Sequence, residues 1–222
     1  MNMTLSIIIA AVISYLCGSC NFSIIVVRLL KNEDIRQHGS CNAGLTNTLR
    51  CYGKNCALLT LIGDLSKGIV AVLASRGICD LLDGGLSPDN DTHYIGYIAG
   101  FFAILGHVFP LYYGFKGGKG VLVGVSTFIA VDPLLFLVLI VIFAIILSIS
   151  KYVSLSSIIA SSSCPLAVIL LHLCVYGDTL GKTLLYAILS LFMASVVVYM
   201  HKSNIVRLKN GTENKFSFKS TK

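Results

Sequence analysis

Long apolar runs dominate this chain, at residues 3–27, 55–78, 94–113, 121–150, 155–175 and 183–200. About 20 apolar residues span the hydrocarbon core of a bilayer as a helix, so nearly every run is a candidate crossing. Only 12% of the residues are charged and the mean hydropathy is +0.84. That is too little polar surface to cover a water-soluble globule, so lipid must solvate much of the fold. The first run has no basic residue ahead of it and continues to Val27, which reads as a membrane anchor rather than a cleaved signal.

The run at 121–150 is too long for one crossing, and Asp132-Pro133 interrupts it. Proline cannot continue the helical hydrogen-bond ladder, and it restricts the residue before it. A break there gives seven crossings; without it there are six. Charge decides between them. With seven crossings and the N-terminus outside, the inner segments are 28–54, 114–120, 151–154 and 201–222. They hold all of the seventeen basic residues except Lys67, Arg76 and Lys182. The outer turns carry Asp80, Asp83, Asp89, Asp91, Asp132 and Asp178. This matches the positive-inside rule, whereas six crossings would put the basic tail outside. The expected fold is all-α, a single polytopic domain over 1–222 with about seven transmembrane helices, the C-terminus cytoplasmic, and polar segments at 80–92 and 210–222.

On this topology the polar clusters fall on the inner face. HGSCNAGLTNTLR (38–50) offers hydroxyls, amides and a fixed positive charge, which suit an oxygen-rich anion. It also reads as a solvated loop with Asn42 or Thr46 capping a helix. GFKGGKG (114–120) precedes an apolar run, so its glycines, Lys119 and the following helix N-terminus could cradle a phosphate. A flexible basic turn against anionic lipid is the alternative. The pattern is not the GxxxxGK[ST] of nucleotide sites.

Asp64 and Lys67 lie three residues apart within an apolar run, where they can neutralise each other and pin helices together. A substrate-facing Lys67 is the sharper alternative. Ser154 sits where a crossing begins, and His201 and Asn204 share a face if the last helix continues through them. Nucleic-acid binding is excluded by the absence of Trp and of aromatic-basic interleaving, despite a net charge of +7. Cys17 and Cys20 form a lone CxxC with no nearby His, so neither a metal site nor a cofactor is expected. No GxSxG or HxxxxD pattern appears, and His107 in GHVFP reads as structural, with no evident carboxylate partner.

These stretches resemble one family. GSCNAGLTNTLR resembles GSGNxGATNxxR, GHVFPLYYGFKGGKGV resembles GHxFPxxxxFKGGKGVAT, KYVSLSSI resembles RYxSLxSI, and HKSNIVRLKNGTENKF resembles HRxNIxRLxxGTExK. Together with GSCNFS at 18–23 and DLSKG, they run in order along nearly the whole chain. The sequence thus resembles the acyl-phosphate-dependent glycerol-3-phosphate acyltransferases of bacterial inner membranes. The resemblance implies seven helices, an active site facing the cytoplasm, and transfer of a fatty acyl group from acyl phosphate to the 1-hydroxyl of sn-glycerol 3-phosphate. The products would be lysophosphatidic acid and phosphate, the first acylation of phospholipid synthesis.

Carried over, it implies a site lined by Ser40, Asn42, Thr46, Asn47, Arg50, Gly117, Gly118, Lys119, Gly120, Ser154, His201 and Asn204, with Lys67 among the substrate-binding candidates. Ser40, Arg50, Lys119 and Ser154 would be catalytic. The glycine turn would bind phosphate, Arg50 and Lys119 would neutralise charge, and His201 and Asn204 would hold glycerol 3-phosphate. The donor's phosphate would help remove the hydroxyl proton, with no acyl-enzyme. Partners would be membrane lipid and a soluble enzyme that makes acyl phosphate. Four departures stand out: Cys41, Leu45, Lys151 and Val123 replace the family's Gly, Ala, Arg and Thr. Cys41 matters most, because a Cβ restricts a backbone that needs positive φ. A transporter of a phosphorylated solute is the competing reading, weakened by polar residues at one face rather than at mid-bilayer and by the lack of an inverted repeat.

Overall fold

The computed structural model describes residues 3–82 and 93–216, and among these every regular element is helical. The helices are α1 Met3–Ser19, α2 Phe22–Lys31, α3 Leu45–Leu82, α4 His93–Val108, α5 Val121–Val131, α6 Pro133–Ser150, α7 Val153–Cys174, α8 Leu180–Met200 and α9 Lys202–Lys209. Among the described residues six segments are long and apolar enough to cross a membrane, with the short apolar α5 in addition. The protein is therefore an integral, multi-pass membrane protein.

The chain clusters into two compact units, Met1–Asp132 and Pro133–Lys222. The boundary falls at the proline break expected from the sequence. Asp132 ends α5 and is itself 2% exposed, so it is a buried helix terminus rather than an open turn. The expected outer residues Asp83, Asp89 and Asp91, like 217–222 of the tail, lie outside the described residues.

In the first unit the apolar run at 3–27 is not one helix. It breaks at Cys20-Asn21, where the Asn21 side chain accepts a hydrogen bond from the Ile24 N–H and caps α2. That cap supplies a partner for one of the donors that every helix start leaves unpaired. Helices α1, α3, α4 and α5 pack around one another, with α2 against α3. Close approach depends on small residues: a Cβ on Gly106 of α4 would meet the Tyr15 carbonyl and the Ser19 amide of α1. Within lipid such backbone proximity, together with hydroxyl pairs such as Ser14 Oγ to Ser75 Oγ at 2.9 Å, does much of the work of holding helices together. Helix α3 is interrupted at Gly53, whose φ of 78° and ψ of −173° no helix contains. The piece before this kink carries Thr46, Asn47 and Arg50; the piece after it is the crossing.

In the second unit α7 packs against α6 and α8, and α9 packs against α7 and α8. Leu135 is the buried residue of α6, and the rest of that helix is exposed or half-buried and, apart from Ser148 and Ser150, apolar, as a lipid-facing helix requires. Backbone continuity from α8 into α9 is kept by the Ile205 N–H donating to the His201 carbonyl.

Candidate active site

The first unit builds a polar loop between α2 and α3. Ile35 is fully buried with Ile24, Val27 and Ala43, which anchors the loop to the protein from beneath. Around this anchor Asp34 accepts hydrogen bonds from the Arg36 N–H at 3.0 Å, from Arg36 Nε at 2.9 Å and from Arg36 Nη2 at 2.7 Å. Arg28 Nη2 adds another at 2.8 Å. The hydrogen bonds from Arg36 hold the Asp34 carboxyl well below the usual carboxylate range; partial burial opposes this and Arg28 reinforces it. Thus fixed, Arg36 Nη1 donates to the carbonyls of Tyr113 at 2.6 Å and Lys116 at 3.2 Å. One guanidinium ties the α2–α3 loop to the segment that enters the glycine turn.

Asn47 organises the rest of the loop. Its Nδ2 donates to the carbonyls of His38 at 2.9 Å, Asn42 at 3.1 Å and Ile35 at 3.4 Å, while its Oδ1 accepts from the Ser40 N–H at 2.9 Å. Asn47 is 2% exposed, so its amide faces the loop backbone and not a ligand. This corrects the substrate-contact expectation: an amide with two donors and an acceptor already spent on main chain shapes the loop from inside. Neither Asn42 nor Thr46 caps α3, since the helix starts at Leu45 and the Asn47 and Thr48 N–H groups donate to the Gly44 carbonyl. Ser40, Thr46 and Arg50 are exposed and Asn42 is half-buried, so these four can face a substrate.

The glycine turn is likewise built differently from the expected cradle. The Gly117 N–H donates to the Val108 carbonyl and the Gly118 N–H to the His107 carbonyl, both at 3.1 Å. Those two amides finish α4 and do not point at an anion. A Cβ on Gly118 would strike His107 Nε2 and come within 2.5 Å of the Ala43 carbonyl oxygen, so its lack of a side chain lets the turn lie on α4 and on the first loop together. Half-buried Lys119 and the start of α5, which Gly120 caps with φ 84°, are what the turn offers an anion.

Lys67 is 5% exposed, and its ammonium reaches Asp64 Oδ1 at 2.7 Å, His107 Nδ1 at 2.8 Å and the Cys20 carbonyl at 2.9 Å. With three internal partners for three N–H bonds, it is a helix-pinning group, and the substrate-facing alternative falls. His107, expected to lack a carboxylate neighbour, has Asp64 Oδ1 at 3.8 Å.

In the second unit the expected residues gather on one carboxylate that the sequence reading passed over. Glu213 accepts from Ser154 Oγ at 3.1 Å, Asn204 Nδ2 at 2.9 Å and Arg207 Nε at 2.7 Å. Its segment is held in place where the Phe216 N–H donates to the Lys151 carbonyl at 2.7 Å. Partial burial works against the Glu213 charge, yet the hydrogen bonds from Asn204 and Arg207, the Arg207 charge and Ser154 outweigh it and lower the pKa. His201 is buried, and its Nδ1 is 2.8 Å from the Val197 carbonyl. A carbonyl only accepts, so Nδ1 carries a proton. Ser154 and Asn204 are thus brought together, with His201 one helical turn before Asn204. The signal for Glu213 was present in the GTE of the fourth motif, and that for Asp34 and Arg36 lay just upstream of the first.

Among the described residues no cluster of three or more His, Cys, Asp or Glu could hold a metal ion. A family described as glycerol-3-phosphate acyltransferase matches residues 8–211. A glycerol-3-phosphate acyltransferase of Clostridioides difficile (strain 630) is 38% identical over 96% of this chain and 97% of its own length. One from Acholeplasma laidlawii is also 38% identical, over 99% and 97%. Among solved structures, PlsY (YgiH), an integral membrane glycerol 3-phosphate acyltransferase, matches in its glycerol 3-phosphate form with a TM-score of 0.77 at 31% identity, covering 96% of both chains. Its lysophosphatidic acid form matches with a TM-score of 0.75 at 29% identity and the same coverage.

Proposed function

Because the chain belongs to the glycerol-3-phosphate acyltransferase family, we propose that it transfers a fatty acyl group from acyl phosphate to the 1-hydroxyl of sn-glycerol 3-phosphate. The products are lysophosphatidic acid and inorganic phosphate. The whole chain, 1–222, serves as one acyltransferase domain of the bacterial inner membrane. It has seven crossings, the N-terminus outside, and the reaction on the cytoplasmic side, where the basic residues concentrate.

The observation that carries this reading is the packing of the Ser40–Arg50 loop onto the glycine turn, through Arg36 and through the contact of Gly118 with Ala43. It sets exposed hydroxyls and the Arg50 charge on a loop joined directly to the turn that bears Lys119. Acyl phosphate is already activated, so the protein's task is to hold two anions together and to stabilise charge as it moves. The 1-hydroxyl oxygen attacks the acyl carbonyl carbon, the bond from that carbon to the phosphate oxygen breaks, and phosphate leaves with the hydroxyl proton. Arg50 and Lys119 offset the repulsion between the substrates, while Ser40, Asn42 and Thr46 orient the donor. The family resemblance assigns glycerol 3-phosphate to His201 and Asn204, which are buried here, with Asn204 Nδ2 and Ser154 both on Glu213. Asn47 and Gly118 act from inside, by keeping the loop and turn in shape.

Purified protein in detergent, given acyl phosphate and labelled glycerol 3-phosphate, should form labelled lysophosphatidic acid. Product from acyl-CoA but none from acyl phosphate would overturn the donor assignment, and uptake into sealed vesicles without product would favour transport instead. Lys119→Ala should lower turnover of acyl phosphate about a hundredfold, the scale expected for loss of a charge acting on the transition state.

A further inference from the structure

Asp64, Lys67 and His107 form a buried polar cluster inside membrane-spanning helices. Ionisable groups there are costly and are kept only with a purpose. Lys67 donates to His107 Nδ1, to Asp64 and to the Cys20 carbonyl, and Asp64 Oδ1 also lies 3.4 Å from the Phe22 N–H. The cluster therefore fixes the α1–α2 corner, α3 and the end of α4 to one another. On its other side, His107 is the surface on which the glycine turn lies: its carbonyl accepts the Gly118 N–H, and its Nε2 edge fills the space that a Gly118 side chain would need. The Ala43 carbonyl, held by Asn21 Nδ2 at 3.3 Å, borders the same space.

We infer that the buried Asp64–Lys67–His107 cluster sets the position of the glycine turn, with His107 as a positioning residue for phosphate binding. Lysine donation to Nδ1 requires that nitrogen to carry the lone pair, which fixes the ring's orientation and tautomer. The ring edge then sets the height of Gly118, and with it Lys119 and the start of α5. This inference rests on the reading of the turn as the seat of a substrate phosphate.

A double-mutant cycle on the full-length protein in detergent tests it, with KM and kcat measured for both acyl phosphate and glycerol 3-phosphate. His107→Asn retains an oxygen acceptor for Lys67, so the helices stay pinned while the ring edge under Gly118 is lost. It should raise the KM for one phosphate substrate about tenfold and leave kcat within about twofold. Gly118→Ala should raise the same KM at least as much. In His107→Asn/Gly118→Ala the two losses should fall short of multiplying by about threefold or more, since the smaller side chain relieves the methyl's contact with the ring while its contact with the Ala43 carbonyl remains. Losses that multiply cleanly, or a His107→Asn enzyme with both KM values at the wild-type level, contradict the positioning role while leaving the reaction assignment standing. A folded wild-type protein that saturates with neither phosphate substrate overturns both.

Discussion

The two units hold their polar residues by contrasting means. In the first, the loop from 34 to 50 is tied down from several directions: an uncharged amide at its centre, a guanidinium clamp to the next loop, and the Asn21 bond to Ala43. In the second, Ser154, Asn204 and Arg207 all donate to Glu213. The difference teaches that loss at the first loop should be graded, because each tie is backed by others, whereas the second cluster has one keystone and should fail together.

Glu213→Ala therefore carries the largest expected effect. It removes the acceptor shared by a hydroxyl, an amide and a guanidinium, and kcat/KM should fall about a hundredfold, equivalent to about 3 kcal/mol. Asn47→Ala should come next, lowering unfolding stability in detergent by about 2 kcal/mol, because buried carbonyls lose their donor while Arg36 still holds the loop. Arg36→Lys should cost about 1 kcal/mol, since an ammonium cannot grip both Asp34 oxygens and still reach two carbonyls. If Arg36→Lys proves more damaging than Glu213→Ala, the contrast between the units is wrong.

The pH response separates the units further. Both carboxyls have folded pKa values below the ordinary range, so each contributes stability above its unfolded pKa and loses it as pH falls through the folded value. Asp34 is held much further down than Glu213, so acidification below the ordinary Glu value of 4.5 should release the second cluster first. Acid titration of activity on briefly exposed protein should show this loss, and Glu213→Gln, weaker at neutral pH, should show little further change on acidification. The smallest effect is a gain. Cys41 has φ 56°, the left-handed region that the sequence comparison flagged, and Cys41→Gly should stabilise the protein by about 1 kcal/mol, read as a higher thermal midpoint.

Run length made the helices legible, and proline made the break at Asp132 legible because its chemistry forbids a continuous ladder. The break at Cys20-Asn21 was read through because the run resumes its apolar character at once, although Gly18, Ser19 and the capping residue Asn21 mark it. At the site, residue types were readable but directions were not. Asn47, Lys67 and Gly118 carry the right chemistry for a ligand, yet all three spend it on neighbouring backbone and side chains. Spacing in the chain reveals which groups exist, and packing decides which way they face. Glu213 was hidden for a related reason: its partner Ser154 lies 59 residues away, so nothing local announces their meeting.

Direct acyl transfer from an acyl phosphate, with the protein supplying position and charge, is tested most directly by a single-turnover experiment. Excess protein is mixed with acyl phosphate labelled in its phosphate and glycerol 3-phosphate labelled in its glycerol. Phosphate and lysophosphatidic acid should appear at equal rates, with no phosphate released when glycerol 3-phosphate is withheld and no acyl group left on protein that hydroxylamine can trap. A burst of phosphate ahead of lysophosphatidic acid, or an acyl adduct on Ser40 or Ser154, would contradict the account.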